Sequence, residues 1–229
     1  MANVSGWWRE VEAIIEERSL LKHPFYQAWQ KGELTLEDLR EYAKQYYPHV
    51  AAFPRYVSAV HSNCADADAR AALLDNLIEE ERGEGGHPGL WLKFAEAVGA
   101  SRDEVLSAEP VPAAKACVSS FIKMSRDENP LAGLAALYAY ESQIPAVAAT
   151  KRAGLNSFYG LTDDKAHAFF RVHEGADVWH SQVERATIER LAVTEEDRAL
   201  VKSSVAAACD AVNRLLDGVV ESRGICAAC

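Results

Sequence analysis

The chain has 229 residues, of which 49% are apolar and 25% charged, and its formal net charge is −10. These proportions are typical of a soluble globular protein with a full core, and the acidic balance excludes general nucleic-acid binding, which needs a basic face. Neither a basic segment followed by an apolar run nor an uncharged apolar stretch of about 20 residues occurs, so we expect no signal peptide and no membrane-spanning helix. The odd number of cysteines, five, favours free thiols in the cytoplasm over a disulfide framework.

Nearly every segment of the chain predicts an α-helix. Thr35 and Asp38 form a capping box at the start of the longest helix of the first half,, and the glycines around His87-Pro88 predict a break. Helical spacing of apolar residues, caps and breaks predict helices over about residues 6–18, 25–30, 36–63, 66–81, 90–98, 113–125, 130–151, 163–190 and 195–224, with a short helix after Ser101.

No strand, repeat or long linker is predicted. We therefore expect one all-α domain over residues 1–229, a single-domain helical bundle with a frayed tail from about residue 224. Cys226 and Cys229 form a C-x-x-C in that tail. Without a second cysteine pair or an adjacent histidine, this is a weak metal or redox signal, and we interpret it as part of the tail.

A polar stripe lies within the segment 166–190, AHAFFRVHEGADVWHSQVERATIER. Because each helical residue turns about 100°, Asp177 and His180 lie on the same helix face as His173. The stripe rises about 10 Å, at roughly 1.5 Å per residue. That length suits two metal ions a few Å apart better than one ion. The alternative interpretation is a solvent-facing stripe with incidental histidines.

Glu141 lies within a second informative segment, 131–150, LAGLAALYAYESQIPAVAAT. The segment is apolar on nearly every side, which predicts a buried helix. A buried ionised carboxylate is costly unless it is paired or bound to a metal. We therefore interpret Glu141 as a metal ligand or catalytic group, with an ion pair to a buried arginine as the alternative.

Glu80 and His87 are the remaining pair of candidate ligands. Glu80 closes one predicted helix, and His87 follows across the glycine-rich break. The break lets both side chains turn toward one point, which a straight helix of that length would not allow. Taken alone, the pair is equally compatible with an exposed acidic helix end and a loop histidine.

Three carboxylates and three imidazoles from at least three helices are what a helical di-iron or di-manganese site needs. Zinc fits less well, because it favours four tight ligands per ion. The six candidate metal ligands are Glu80, His87, Glu141, His173, Asp177 and His180.

These residues resemble a known family, the heme-oxygenase-like di-metal oxidases. Within that family the chain is most similar to the CADD-like group, named after the Chlamydia protein associating with death domains, and the similarity covers almost the whole chain. TenA thiaminases and pyrroloquinoline-quinone synthase are similar in fold but lack the ligand set. The motifs that carry the resemblance are Glu80–His87, Tyr140-Glu141, His173-x3-Asp177-x2-His180, His23-Pro24-Phe25-Tyr26 and Lys31-Gly32-Glu33-Leu34-Thr35.

The resemblance implies a heme-oxygenase-like bundle that holds two iron ions or a manganese–iron pair on the six ligands. It implies an enzyme that uses O2 and an external reductant to make 4-aminobenzoate for folate synthesis. It further implies self-sacrifice, in which Tyr26 is the ring source and Lys151 the amine donor, with Tyr42 and Tyr140 as electron or radical relays. A homodimer is compatible with the family, whereas a death-domain partner is not expected in general. From the residues alone, Tyr26 reads as a core aromatic and Lys151 as a helix-end lysine.

Four other functions stay open at the level of sequence. One is a conventional di-iron oxygenase acting on a small molecule. Another is a metal-free TenA-like thiamine-salvage hydrolase, which needs an activated cysteine, although Cys64 and Cys117 lie in predicted helices with no evident base partner. A protein-interaction module would need an exposed apolar patch. A heme oxygenase would use His23 as the axial ligand. Measuring the metal content of the purified protein would distinguish the functions that need no metal from those that need one.

Overall fold

The computed structural model describes residues 6–83 and 86–225. Within those ranges the secondary structure is helical, without a strand, and a short 3₁₀ turn at Leu20–Lys22 follows the first helix. The α-helices are α1 Gly6–Glu17, α2 Pro24–Lys31, α3 Leu36–Asn63, α4 Ala67–Glu81, α5 Gly86–Ala97, α6 Arg102–Ser107, α7 Pro112–Ser125, α8 Pro130–Glu141, α9 Ile144–Phe158, α10 Asp164–Leu191 and α11 Glu195–Arg223.

Helix α8 lies at the centre of the bundle. All of its residues from Leu131 to Glu141 are buried, as expected for a helix that is apolar on every side. It packs against α11, α10, α7 and α3, and the buried side chains form one continuous cluster that includes residues from every long helix. The predicted all-α, single-domain architecture is therefore confirmed. Cys226 and Cys229 of the predicted tail lie outside the described residues.

Several helix boundaries agree with local sequence signals. Thr35 accepts a hydrogen bond from the backbone N–H of Asp38, whose carboxylate in turn accepts from the backbone of Thr35, which completes the capping box,. Helix α3 continues through Pro48 and Pro54 to Asn63. In the part of the chain that the structure describes, no helix combines the length and the apolar character needed to cross a membrane.

The helix predicted over residues 130–151 is wrong in one respect, because it is interrupted directly after Glu141. The cause is Pro145, which lacks a backbone N–H and whose ring collides with the carbonyl of the residue four positions earlier in a continuous helix. That earlier residue is Glu141. The interruption gives Glu141 the C-terminal position of α8 and begins a separate helix, α9, which carries Lys151.

Helix α5 begins at Gly86, four residues before the predicted start. Pro88 is tolerated there, because the first turn of a helix leaves its backbone N–H groups unpaired in any case. Gly86 has φ 58°, and a Cβ atom at this position would collide with the carbonyl oxygen of Glu80. The close approach of the two backbones places His87 in the first turn of α5, next to Glu80.

Candidate active site

Six buried side chains meet where α4, α5, α8 and α10 come together. Helix α4 contributes one residue near its C-terminus, α5 one from its first turn and α8 its last residue, while α10 contributes three from one face. Their donor atoms fall into two groups of three, each group within 4.8 Å. The structure brings together all six candidate ligands, which are Glu80, His87 and His173 in one group and Glu141, Asp177 and His180 in the other.

The first group is centred on Glu80. Its Oε1 lies 2.9 Å from Nδ1 of His87 and 4.0 Å from Nε2 of His173. On the other side of the His173 ring, Nδ1 lies 2.7 Å from the carbonyl oxygen of Phe169. Donation of the Nδ1 proton to that carbonyl selects the tautomer whose Nε2 carries a free lone pair, the usual arrangement for a histidine metal ligand.

The second group is centred on His180. Its Nδ1 lies 3.6 Å from Oε1 of Glu141 and 3.7 Å from Oδ1 of Asp177. Both carboxylates are only 1% exposed. The Oε1 atom of Glu141 also accepts a hydrogen bond of 3.0 Å from the side-chain amide of Asn76 on α4, so this oxygen is held from two helices.

Burial and the contacts between charged groups together set the protonation of this cluster. Burial raises the pKa of Asp177 to about 8, with the negative charges of Glu141 and Glu80 adding to the effect,. Burial alone would lower the pKa of His180, but its contacts with Asp177 and Glu141 raise that pKa to about 10. The pKa of His173 falls to about 3, because burial and the neighbouring His87 both disfavour its charged form. The metal-free cluster therefore retains protons at neutral pH that it must release to bind cations.

The polar atoms of the second group are poorly satisfied by the protein itself. Nε2 of His180 lies 3.2 Å from Oε2 of Glu79. Among the described residues, Oε2 of Glu141 and Oδ2 of Asp177 have no hydrogen-bond partner. Buried polar atoms are nearly always partnered, so these atoms are suited to an additional positive group. Mixed carboxylate and imidazole donors fit iron or manganese, and the two groups of three fit a pair of ions.

A second buried cluster surrounds the amine of Lys151, which is 3% exposed. Its Nζ lies 2.5 Å from the hydroxyl of Tyr42 and 5.2 Å from the ring centroid of Tyr26. The hydroxyls of Tyr26 and Tyr42 are 3.4 Å apart. Burial lowers the pKa of Lys151 well below its usual range and raises that of Tyr26. Burial of the cluster therefore favours the uncharged form of the amine and the protonated form of the phenols.

Tyrosines connect this cluster to the metal-ligand groups. The rings of Tyr42 and Tyr46 are 5.1 Å apart, and the hydroxyl of Tyr46 donates a hydrogen bond of 3.2 Å to that of Tyr140. Tyr140 directly precedes Glu141 and lines the same small cavity, of about 10 Å³, as Glu80, His87, His173 and Asp177. The four predicted residues of the chemistry, Tyr26, Tyr42, Tyr140 and Lys151, thus lie on one continuous path to the ligands.

Packing of α2 against α9 sets the distance between Tyr26 and Lys151. The indole Nε1 of Trp29, on α2, donates a hydrogen bond of 3.2 Å to the backbone carbonyl of Lys151. Gly154, one turn further along α9, allows the approach, since a Cβ atom there would lie 2.5 Å from Nε1 of Trp29. The N-terminus of α2 is fixed by His23, whose Nδ1 accepts from the backbone N–H of Phe25.

Sequence reasoning missed three buried polar residues at these sites. Tyr46, one helical turn after Tyr42, is the link to Tyr140 and was visible only as one aromatic among many. Asn76, one turn before Glu80, binds Glu141. Glu184 continues the α10 stripe, four residues after His180, and is 5% exposed. Extending the spacing of His173, Asp177 and His180 by one helical turn would have predicted that Glu184 lies on the same face.

Two of the alternative functions meet obstacles in the structure. His23 has both ring nitrogens engaged, Nδ1 by Phe25 and Nε2 by Asp217 at 3.0 Å, so it is not available as a heme ligand. Cys117 has a neighbour that the sequence did not reveal, because its Sγ lies 3.7 Å from Nδ1 of His49. Burial raises the pKa of Cys117 to about 12, which suppresses the thiolate needed for nucleophilic chemistry. Cys64 lies at the end of α3 rather than within a helix.

Comparison with known proteins agrees with this geometry. Residues 40–213 match the model of the family described as iron-containing redox enzymes. The 4-aminobenzoate synthase of Chlamydia muridarum is 47% identical, covering 85% of this chain and 82% of the relative, and that of Nitrosomonas europaea is 45% identical, covering 93% and 91%.

Two solved structures share the fold. A domain of unknown function with a heme-oxygenase-like fold from Shewanella denitrificans superposes with a TM-score of 0.81, covering 98% of this chain and 95% of that chain at 20% identity. A CADD-like protein of unknown function from Nostoc punctiforme gives a TM-score of 0.77, covering 94% and 97% at 14% identity.

The fold and the buried donor set define an all-α enzyme of the heme-oxygenase-like class, an oxidoreductase. The chain belongs to the iron-containing redox enzyme family, and within it to the CADD-like group of 4-aminobenzoate synthase relatives. The resemblance expected from the ligand spacing is confirmed.

Proposed function

We propose that this chain is a 4-aminobenzoate synthase that consumes its own side chains, with Tyr26 as the ring source and Lys151 as the amine donor. The names of the relatives at 45–47% identity support the product. The position of Lys151 supports the donors, and this is the observation that carries the proposal. A buried amine without a carboxylate partner in the described part of the chain is rare, and this one faces Tyr26 and Tyr42.

Two iron ions or a manganese–iron pair would bind in the two ligand groups. One ion would be held by Glu80, His87 and His173, and the other by Glu141, Asp177 and His180. When bound, they would supply oxidising power from O2, with electrons from an external reductant. The remaining work is done by this chain's own residues, which hold the reacting groups together, exclude water and conduct electrons.

The composition of the product sets which bonds change. Its ring and carboxylate carbon correspond to the Tyr26 ring and Cβ, so the Cα–Cβ bond breaks and Cβ is oxidised by O2. Once the Tyr26 ring has been oxidised by two electrons with O2 as the oxidant, Nζ of Lys151 would condense with the ring carbon that bears the oxygen, and the phenol oxygen would leave as water. A proton shift would return the ring to the aromatic state and oxidise Cε of Lys151, and hydrolysis of the Cε–Nζ bond would then release the aryl amine and leave an aldehyde at Cε. The low pKa of Lys151 leaves its lone pair free for bond formation,, and the fixed distance to the Tyr26 ring replaces a bimolecular encounter.

Tyr42, Tyr46 and Tyr140 give oxidation a path from the metal-ligand groups to Tyr26. The path is made of two hydroxyl contacts, 3.4 Å and 3.2 Å long, and one ring contact of 5.1 Å. Burial raises the pKa of each of the three phenols, so each keeps its proton until it is oxidised. Their hydroxyl partners can receive that proton.

Two substitutions test the donor residues in the metal-loaded protein with O2 and a reductant. Tyr26→Phe removes the reactive hydroxyl and keeps the packing of the ring, and Lys151→Arg replaces the amine with a guanidinium that cannot transfer its nitrogen in the same way. Both variants should yield no 4-aminobenzoate while their metal content equals that of the wild type.

Matched controls are Tyr138→Phe, which makes the same change at a buried tyrosine that packs on Trp8, and Lys165→Arg, at a lysine paired with Glu96 on the surface. Both controls should form product at the wild-type level. Product from Tyr26→Phe or Lys151→Arg would instead favour a conventional oxygenase acting on an added small molecule.

A further inference from the structure

Glu184 is a buried carboxylate that the six-ligand set does not use. It lies in the same helix as three of the ligands, at steps of four, seven and eleven residues from His180, Asp177 and His173. At about 100° per residue these steps keep all four side chains on one face of α10. The face that carries the ligands therefore continues for one further turn.

The surroundings of Glu184 offer it no other partner. Within the described residues, neither of its carboxylate oxygens has a hydrogen-bond partner with a donor group, and no Lys or Arg pairs with it. It lines a small cavity of about 10 Å³ between α4, α8 and α10, together with apolar Leu73, Leu134 and Val183. A charged carboxylate in such a place is strongly unfavourable unless a cation lies close by.

Two residues of the second ligand group adjoin Glu184. Its carboxyl group neighbours that of Glu141 closely enough for each to affect the pKa of the other, and His180 lines the same cavity. Asn76, which holds Oε1 of Glu141, lines it as well and has its own Oδ1 without a partner among the described residues. Glu184 thus lies beside the second group, one helical turn past His180 on α10.

Charge balance points in the same direction. Glu80, Glu141 and Asp177 carry three negative charges when ionised, and two divalent ions carry four positive charges. A site buried in a low-dielectric core is most favourable when these charges cancel. The ferritin-like di-iron proteins, which solve the same problem in a helical bundle, use four carboxylates.

We infer that Glu184 is a seventh protein ligand of the metal centre, binding the ion held by Glu141, Asp177 and His180. This inference rests on the proposed metal centre. With Glu184, that ion would have three carboxylates and one imidazole as ligands. The other ion, at Glu80, His87 and His173, would have two imidazoles and one carboxylate. The two ions are therefore held by chemically different sets, the more anionic set favouring the harder ion.

The test is an anaerobic titration of the metal-free full-length protein with Fe²⁺, in which bound metal is counted by elemental analysis after desalting. The wild type should bind two ions per chain. Glu184→Gln keeps the shape of the side chain and removes its charge. It should weaken the binding of the second ion by about 100-fold or more, beyond the 10–100-fold loss of affinity typical of changing a residue outside the ligand shell. Glu189→Gln removes the same charge from the same helix, at a residue paired with Arg185, and should bind like the wild type.

The outcomes separate the inference from the function on which it rests. A wild type that binds no pair of ions overturns the metal centre itself. A wild type that binds two ions, with a Glu184→Gln variant weakened less than about 100-fold, overturns the ligand role of Glu184 alone. Because a variant can fail to fold, a crystal structure of the metal-loaded wild type provides a second test. An oxygen of Glu184 at about 2.0–2.2 Å from an ion supports the inference, and one beyond bonding distance overturns it.

Discussion

The amine of Lys151 lies 2.5 Å from the hydroxyl of Tyr42, inside the core of the bundle. The aromatic rings of Tyr26, Tyr42, Tyr46, Trp91 and Phe170 all lie within 5.0–5.7 Å of the same nitrogen. Such a position is costly for a group that is charged in water, because the core must either accept the charge or remove the proton. The fold bears this cost at a site where a neutral amine has a chemical use.

Lys151→Met should therefore stabilise the protein while abolishing product. Methionine has a similar length and is apolar, and Tyr42 keeps its contact with the hydroxyl of Tyr26. We expect a gain of about 1–3 kcal/mol in the free energy of unfolding, measured by urea denaturation of the metal-free forms at pH 7. A clear loss of stability would show that the amine is a structural element of the core.

The stability of the metal-free protein should fall as the pH rises from 6.5 to 8. The folded-state pKa of Asp177, about 8, lies above its ordinary value, and so does that of His180, about 10. Both groups hold protons in the folded state that the unfolded chain has released, so stability is lost as the pH rises. Lys151, whose pKa is lowered, acts in the opposite direction, and Glu184, whose pKa is raised, adds to the loss.

More of these groups bind a proton in the folded state than in the unfolded state. The free energy of unfolding should therefore fall by about 1–3 kcal/mol per pH unit. Urea midpoints measured with a chelator at several pH values across this window give the slope directly. A flat or rising profile would mean that the buried carboxylates do not retain their protons in the folded state.

Metal binding should raise the melting temperature and release protons. The ions bind the folded state and not the unfolded chain, and they displace the protons that Asp177 and His180 hold at neutral pH. Addition of Fe²⁺ or Mn²⁺ to the metal-free protein in a weakly buffered solution should acidify it, which a pH indicator records. An unchanged melting temperature after chelation, with loss of metal verified, would argue against a preformed buried site.

A pair of glycine substitutions tests the packing of α2 against α9. Gly154→Ala would place a Cβ atom 2.5 Å from Nε1 of Trp29, so we expect a destabilisation of about 1–3 kcal/mol and weaker product formation as Tyr26 moves relative to Lys151. Gly175→Ala makes the same change within α10, where no atom lies within 4 Å. It should stabilise the helix by about 0.5–1 kcal/mol. Equal effects at both positions, by thermal or urea unfolding, would contradict this account of the interface.

Much of the fold follows from local sequence rules. The capping box at Thr35 and the all-round apolar α8 are both found where the sequence places them, because caps and helical periodicity depend on near neighbours. The break after Glu141 was also encoded locally, by Pro145, but the apolar run concealed it. The early start of α5 depends instead on a tertiary contact, the approach of Gly86 to the backbone of Glu80.

The candidate site was predictable to a different extent in its two parts. The α10 stripe and Glu141 stand out because charge in an apolar or periodic setting has few structural explanations. By contrast, nothing local distinguishes Lys151 from an ordinary lysine near Arg152. Its burial results from the packing of α9 against α2, α8 and α10, which no pattern within the helix reports. A resemblance to a family was needed to select it.

The origin of the product atoms is the most direct test of the account. The protein is produced with ring-labelled tyrosine, loaded with metal, and reacted with O2 and an unlabelled reductant, after which both 4-aminobenzoate and the intact chain are weighed by mass spectrometry. We predict labelled 4-aminobenzoate, with a matching loss of the Tyr26 side chain from the protein. Unlabelled 4-aminobenzoate from a chain of unchanged mass would contradict the proposal that the enzyme is its own substrate.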